Sequence, residues 1–277
     1  MELHQTARTK KKPCSQVFQK FLYAKVNVEF NGVSKYFPGS FWGQKIRAIS
    51  NVSFSVASGE IFALIGANGS GKTTALKIIL GLIHSSIGNI KLGGKPVRSF
   101  RKKRQIGYLP DAPYFYPFLS GEELLDFYGR LSGLKNEELK QRKKFVLSMV
   151  EISQTNAARK IATFSKGMLQ RIGLAQVLLH EPKLILLDEP TAGVDPKGVL
   201  EFSEILKRLK SQGLTIIWSS HYLKQVERLS DSFALLHKGR LVSSGKINSV
   251  PDLEGYYLSY LLRSSTFQSE NNASCEK

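Results

Sequence analysis

LIGANGSGKTT, residues 64–74, sets three glycines and a lysine between an apolar run and a helical pattern. The run before it, Ile61 to Ile65, is short and follows Gly59, and it reads as a buried strand of a parallel sheet. The stretch from Lys72 to Leu82 predicts a helix, with Leu76, Ile79, Leu80 and the following Ile83 on one face. The glycine segment is then a strand-to-helix turn. Gly66, Gly69, Gly71, Lys72 and Thr73 fit G-x-x-x-x-G-K-[ST], a spacing in which backbone N–H groups wrap a polyphosphate and the helix N-terminus adds its positive dipole end. Side chains there would obstruct the wrapping. Lys72 is expected to reach the terminal phosphates, and the Thr73 hydroxyl to ligate Mg²⁺.

Outward from that turn, the chain of 277 residues can bury a full core. A hydrophobic content of 42% with 10 prolines is globular. Two cysteines, Cys14 and Cys275, lie near the ends, which excludes a disulfide framework. No apolar stretch approaches the length of a membrane span. The formal charge is +18, from 40 basic and 22 acidic residues, which points to nucleic acid, an anionic membrane surface or a solvated basic face. Its clusters are Lys10 to Lys12, Arg101 to Arg104, and Lys140 to Lys144. The last lies on a helical pattern whose buried side is Leu139, Phe145, Met149 and Val150, so the basic residues are expected on a solvated face. Residues 1–24 read as a basic tail whose scarcity of acids also suits an organelle transit peptide.

Strands are expected at 26–30, 51–56, 60–65, 88–94 and 105–110. Residues 120–151 are helical in pattern. A helix from Ser165, a strand at 184–188, a helix over 197–211, a strand at 214–220 and two closing strands complete one α/β domain interrupted by a helical insertion. LILLDEPTAGVDP, residues 184–196, ends an apolar strand abruptly in Asp188 and Glu189, which delivers two carboxylates to the sheet edge where open α/β folds bind ligands. Beside a phosphate loop the first acid can hold Mg²⁺ and the second can orient or deprotonate water. ATFSKGMLQR, residues 162–171, begins a further helix with Ser165 as its cap.

The order of these stretches, GANGSGKTT, FSKGMLQR, LILLDEPTAGVDP and then His221 after TIIWSS, closely resembles the ATP-binding cassette ATPases of ABC transporters, over residues 26–245. The resemblance implies a P-loop NTPase core of the RecA type, with an antiparallel β subdomain and an inserted helical subdomain at about 112–168. The cassette would occupy residues 25–250, followed by a C-terminal helix and polar tail at 251–277. ATP and Mg²⁺ are the implied ligands. Gly66, Ala67, Asn68, Gly69, Ser70, Gly71, Lys72, Thr73 and Thr74 match the Walker A loop. In VSKYFPG, Phe37 is in register for the aromatic that stacks on adenine, with Tyr36 as the alternative. Asp188 and Glu189 match the Walker B aspartate and the catalytic glutamate, and His221 matches the switch histidine. Ser165, Lys166, Gly167 and Met168 fall in the signature motif, which in the family completes the site of the other protomer, and Asp195 falls in the loop that crosses the dimer interface.

Two positions depart from the family pattern. Lys166 and Met168 replace a glycine and the glutamine of LSGGQ, and Asp111 stands where a glutamine near the metal is usual. Both variants resemble single-cassette subunits of export systems, and both leave room for a weak, regulatory cassette. The implied partners are a second ATPase subunit, the same or different, and a separate transmembrane permease. The implied location is peripheral, on the cytoplasmic face of the cell (inner) membrane. PYFYPF, residues 113–118, either docks a helix of that permease or packs locally. The rival is a soluble cassette acting on nucleic acid or ribosomes, supported by the charge of +18. Against it stand the single cassette and the lack of a heptad run, so nucleic acid is not the expected partner.

Overall fold

The computed structural model describes residues 26–39, 43, 45–97 and 105–262. The expected basic tail, the Arg101 to Arg104 run, both cysteines and the polar C-terminal tail lie outside the described residues.

In chain order the elements are β1 (Val28–Phe37), β2 (Ile46–Val56), β3 (Ile61–Ile65), α1 (Lys72–Ile79), β4 (Ile87–Leu92), β5 (Lys95–Pro96) and β6 (Ile106–Leu109). The helical insertion follows as α2 (Gly121–Leu131), α3 (Asn136–Met149) and α4 (Gln154–Ala157), and α5 (Lys166–Leu178) leads back to the sheet. The chain closes with β7 (Leu184–Leu187), α6 (Pro196–Ser211), β8 (Thr215–Ser220), α7 (Leu223–Leu229), β9 (Ser232–His237), β10 (Arg240–Lys246) and a helix at 253–262.

Two sheets result. One is antiparallel in the order β2-β1-β4-β5, and the other runs β10-β9-β3-β8-β7-β6, parallel except where β10 pairs antiparallel to β9. Every residue of β3 and of β7 is buried, as expected of parallel strands covered on both faces. The sheets are joined by a stack of rings: Phe30 lies 4.7 Å from Phe54, and Phe54 lies 5.2 Å from Phe62 on β3. Ala75, Leu76, Ile78 and Ile79 of α1 complete that layer. On the other face, α5 and α6 cover the parallel sheet and the helical insertion packs onto α5.

Several bounds move for local reasons. The α1 helix stops at Ile79, because Gly81 takes φ +66 and the N–H groups of Gly81 and Leu82 bond back to the carbonyls of Ile78 and Lys77, a Schellman closure. Leu82 is therefore exposed rather than helical. The first two strands run longer than expected, through Phe37 and from Ile46, since register shifts near Val33 let polar residues continue the pairing. In α2, Ser120 and Glu123 form a reciprocal capping box at the start of the arm.

The basic run on α3 requires a correction. Arg142 is not on a solvated face: it is buried, donating from Nε to the Leu179 carbonyl at 3.1 Å and from Nη2 to the Leu178 carbonyl at 2.6 Å, with Glu181 at 3.1 Å from Nη1. Carbonyls at the end of α5 lack intrahelical donors, and the guanidinium fork supplies them. Lys140 and Lys143 pair with Glu137 and Asp126.

Candidate active site

The turn between β3 and α1 forms the floor of a cleft lined from Asn68 to Thr74 and by Ala48, Asp111, Asp188 and Glu189. Two glycines make the turn feasible. A Cβ on Gly66 would collide with the Leu236 carbonyl oxygen of β9, and one on Gly71, at φ +105, would stand 2.6 Å from the Ile49 side chain and 2.9 Å from the Ala48 carbonyl oxygen. The backbone of the loop thus sits directly on β2 and β9. Lys72 is buried and bends back over the loop, donating to the carbonyls of Gly66 at 2.7 Å and Ala67 at 3.3 Å.

Parallel pairing brings the acids to the same edge. Because Leu187 on β7 pairs with Trp218 on β8, Asp188 and Ser219 come next to each other one residue further on. Ser219 Oγ donates to Asp188 Oδ1 at 2.6 Å and accepts the Glu189 N–H at 2.9 Å. Thr73 Oγ1 donates to the same Asp188 oxygen at 3.2 Å. Glu189 adopts φ +46, a conformation rare outside glycine and frequent at functional sites. That turn aims its carboxylate across the cleft, with Oε1 3.1 Å from Lys72 Nζ and Oε2 2.9 Å from His221 Nδ1. Tyr108 on β6 reaches Asp188 with its hydroxyl. Burial first, then the Asp188 carboxylate that its hydroxyl bonds, push its pKa up to about 12, so the phenol stays protonated and donates.

Oxygen ligands dominate: the Thr73 hydroxyl and the carboxylates of Asp188 and Asp111 are hard donors that suit Mg²⁺. Among the described residues no cluster of His, Cys, Asp and Glu could enclose a metal by itself.

Other expected residues stand apart from the cleft lining. Ser165 caps α5, accepting the Met168 N–H at 3.2 Å, and Lys166 runs against the loop at Gly193, where a Cβ would lie 2.8 Å from its Nζ. Asp195 caps α6 through the Gly198 N–H at 2.9 Å. Phe37, half-buried at the end of β1, has the Lys35 amine 5.0 Å over its ring; Phe37 and Tyr36 lie outside the cleft lining, while Ala48 on the paired strand belongs to it. Sequence reasoning missed Ala48, Tyr108 and Ser219. For Ser219 the signal was present in its position two residues before His221, at the end of a strand next to the acids.

The ABC transporter family model matches residues 49–192. An ABC transporter ATP-binding protein of Synechocystis sp. (strain PCC 6803) is 42% identical over 232 residues, covering 83% of this chain and 66% of that protein's length. The linearmycin resistance ATP-binding protein of Bacillus subtilis (strain 168) is 38% identical over 206 residues, 74% of this chain and 66% of its own length. Among solved structures, an ATP-binding subunit of an ABC transporter superposes with a TM-score of 0.70 at 31% identity, covering 84% of this chain and 98% of that one. A dimeric bacterial ABC transporter cassette does so at 0.71 and 25% identity, covering 79% and 98%. With this fold, this cleft and these relatives, the chain belongs to the ABC transporter ATP-binding proteins, the ATP-binding cassette ATPases.

Proposed function

We propose that this chain is the motor subunit of an export-type ABC transporter, closing with a second cassette over two ATP molecules and opening on hydrolysis. One observation carries the reading. Thr73, Asp188, Ser219, Glu189 and His221 form a continuous hydrogen-bonded row along the mouth of the phosphate loop. Thr73 and Asp188 would hold Mg²⁺ with Asp111 alongside, and the ion would supply neutralisation of phosphate charge. Lys72, released from the loop carbonyls by the better acceptors of a polyphosphate, stabilises the same charge. Glu189 orients and deprotonates the attacking water, and His221 holds the Glu189 carboxylate at the required angle.

Ser165 to Met168 and Asp195 lie outside the lining of their own cleft, in keeping with a role across a dimer interface. A solved relative is described as dimeric, and a relative by sequence as a linearmycin resistance ATP-binding protein, which supports dimerisation and export. Among the described residues no helix is long and apolar enough to cross a membrane, so a separate permease would provide the path. Tyr114, Tyr116 and Phe118, 79%, 51% and 66% exposed, offer that permease a docking surface beside Asp111, and would hold the subunit at the cytoplasmic face of the membrane.

The test is Glu189→Gln. It should lower hydrolysis by about a hundredfold or more, retain ATP binding and accumulate an ATP-bound dimer in size-exclusion chromatography. Undiminished turnover would remove Glu189 from the mechanism.

A further inference from the structure

Gln170 lies on the buried side of α5, five residues beyond its Ser165 cap, and is 2% exposed. Its Nε2 donates to the Asp111 backbone carbonyl at 3.2 Å. That carbonyl can only accept, so the orientation of the amide is fixed, and Oε1 is left buried with no hydrogen-bond partner among the described residues. An apolar residue of equal length would fill the space without an orphaned acceptor, so packing alone does not account for glutamine here. The recipient of its bond does. Asp111 lines the nucleotide cleft and begins the loop that displays Tyr114, Tyr116 and Phe118.

The same face of α5 grips that loop at two further points. At Gly173 a Cβ would stand 2.6 Å from Leu109 and 3.4 Å from Phe115, so both side chains press directly on the helix backbone. Leu109, the Asp111 carbonyl and Phe115 are therefore all seated on the helix that starts at Ser165. Of these contacts, only the Gln170 bond is directional and lies at the cleft.

We propose that Gln170 is a positioning residue that fixes Asp111 to α5, so that the exposed aromatic loop, the Asp111 carboxylate and the Ser165 to Met168 segment move as one body. This rests on the proposed function, which sets Asp111 beside the metal and the aromatics against the permease. Displacement of the loop by a partner is thereby delivered both to the chain's own cleft and to the segment facing the second cassette.

The experiment compares full-length Gln170→Leu and Gln170→Met with Asp111→Ala. Amide hydrogen exchange between Leu109 and Phe118 is followed in protein without nucleotide. Mg²⁺ half-saturation of turnover is read separately from kcat. In both Gln170 variants exchange should quicken about fivefold, the equivalent of one neutral hydrogen bond, with the melting temperature unchanged or raised by loss of the orphaned acceptor. Mg²⁺ half-saturation should rise by a similar factor while kcat at saturating Mg²⁺ holds within about twofold. If Asp111→Ala shifts the Mg²⁺ dependence and the Gln170 variants alter neither exchange nor half-saturation, the positioning role is overturned and the reading of Asp111 stands. If Asp111→Ala leaves the Mg²⁺ dependence untouched, that reading falls and the positioning role with it. Exchange quickened equally throughout residues 121–178 would mark a packing defect and also overturn it.

Discussion

The edge of the parallel sheet and the loop at the base of the helical arm meet at Asp111, yet they are built on opposite terms. At the sheet edge Lys72, Thr73, Asp188, Ser219, Glu189 and His221 engage one another through polar contacts of 2.6 to 3.2 Å. At the arm Tyr116 touches Tyr114 and Phe118 at ring separations of 6.2 and 5.5 Å, and all three rings face solvent. A polar network that satisfies itself can hold its geometry without help, whereas exposed rings gain free energy only when something covers them. Chemistry is therefore expected to reside in the first region, and dependence on another protein in the second.

Replacing Tyr114, Tyr116 and Phe118 together by serine should break that division most visibly. Aromatic anchors at the centre of an interface are worth about 2 kcal/mol or more each, so capture of a polytopic membrane protein from a mild-detergent extract should fall by about a hundredfold or more. The melting temperature of the free subunit should not drop, because the rings bury little in it. Undiminished capture of the membrane protein would move the docking surface elsewhere.

Ser219→Ala strikes the sheet edge instead. It removes the hydroxyl that donates to Asp188 and accepts from the Glu189 N–H, so both acids lose their common anchor while the strand stays packed. Turnover should fall by about a hundredfold, as when a preorganised hydrogen-bonding group is deleted, with capture of the membrane partner unchanged. Full activity in this variant would mean that Thr73 and Tyr108 suffice to hold Asp188, and Lys72 and His221 to hold Glu189.

Legibility in the sequence followed the same division. Gly66, Gly71 and Lys72 can be read directly because the close approach of backbone to backbone and to phosphate tolerates so few alternatives. Asp188 and Glu189 stand out because they end an apolar strand in a chain that also carries a phosphate loop. Ser219 and Gln170 were opaque for the converse reason. Serine and glutamine serve many purposes, and only the register of β7 on β8, or the seating of Asp111 on α5, gives them theirs. Arg142 read as one cation among neighbours on a basic helix, since nothing local reveals that the carbonyls of Leu178 and Leu179 accept from it. The antiparallel sheet came out longer than the apolar pattern because pairing continued through Asn31, Ser34 and Lys35, residues with no strand signature of their own.

The far end of α5 offers the smallest effect and the cleanest separation. His180 follows α5, near Arg142, and donates to the Ile106 carbonyl; burial lowers its pKa from 6.5, the nearby guanidinium lowers it further, and the hydrogen bond only partly offsets them. The unfolded chain therefore takes up a proton at a higher pH than the folded one. Stability from this residue is complete above about pH 6.5 and declines as the pH falls through that value, levelling off below the folded pKa. A glutamine side chain does not titrate, so His180→Gln should flatten the fall in urea midpoint between pH 7.5 and pH 5 that the wild type displays. It should leave turnover at pH 7.5 alone, because His180 lies at the opposite end of the helix from Ser165 and outside the cleft. An acid limb as steep as the wild type's would assign the pH dependence to other groups, His237 first among them, whose pKa is also lowered by burial and by Lys238.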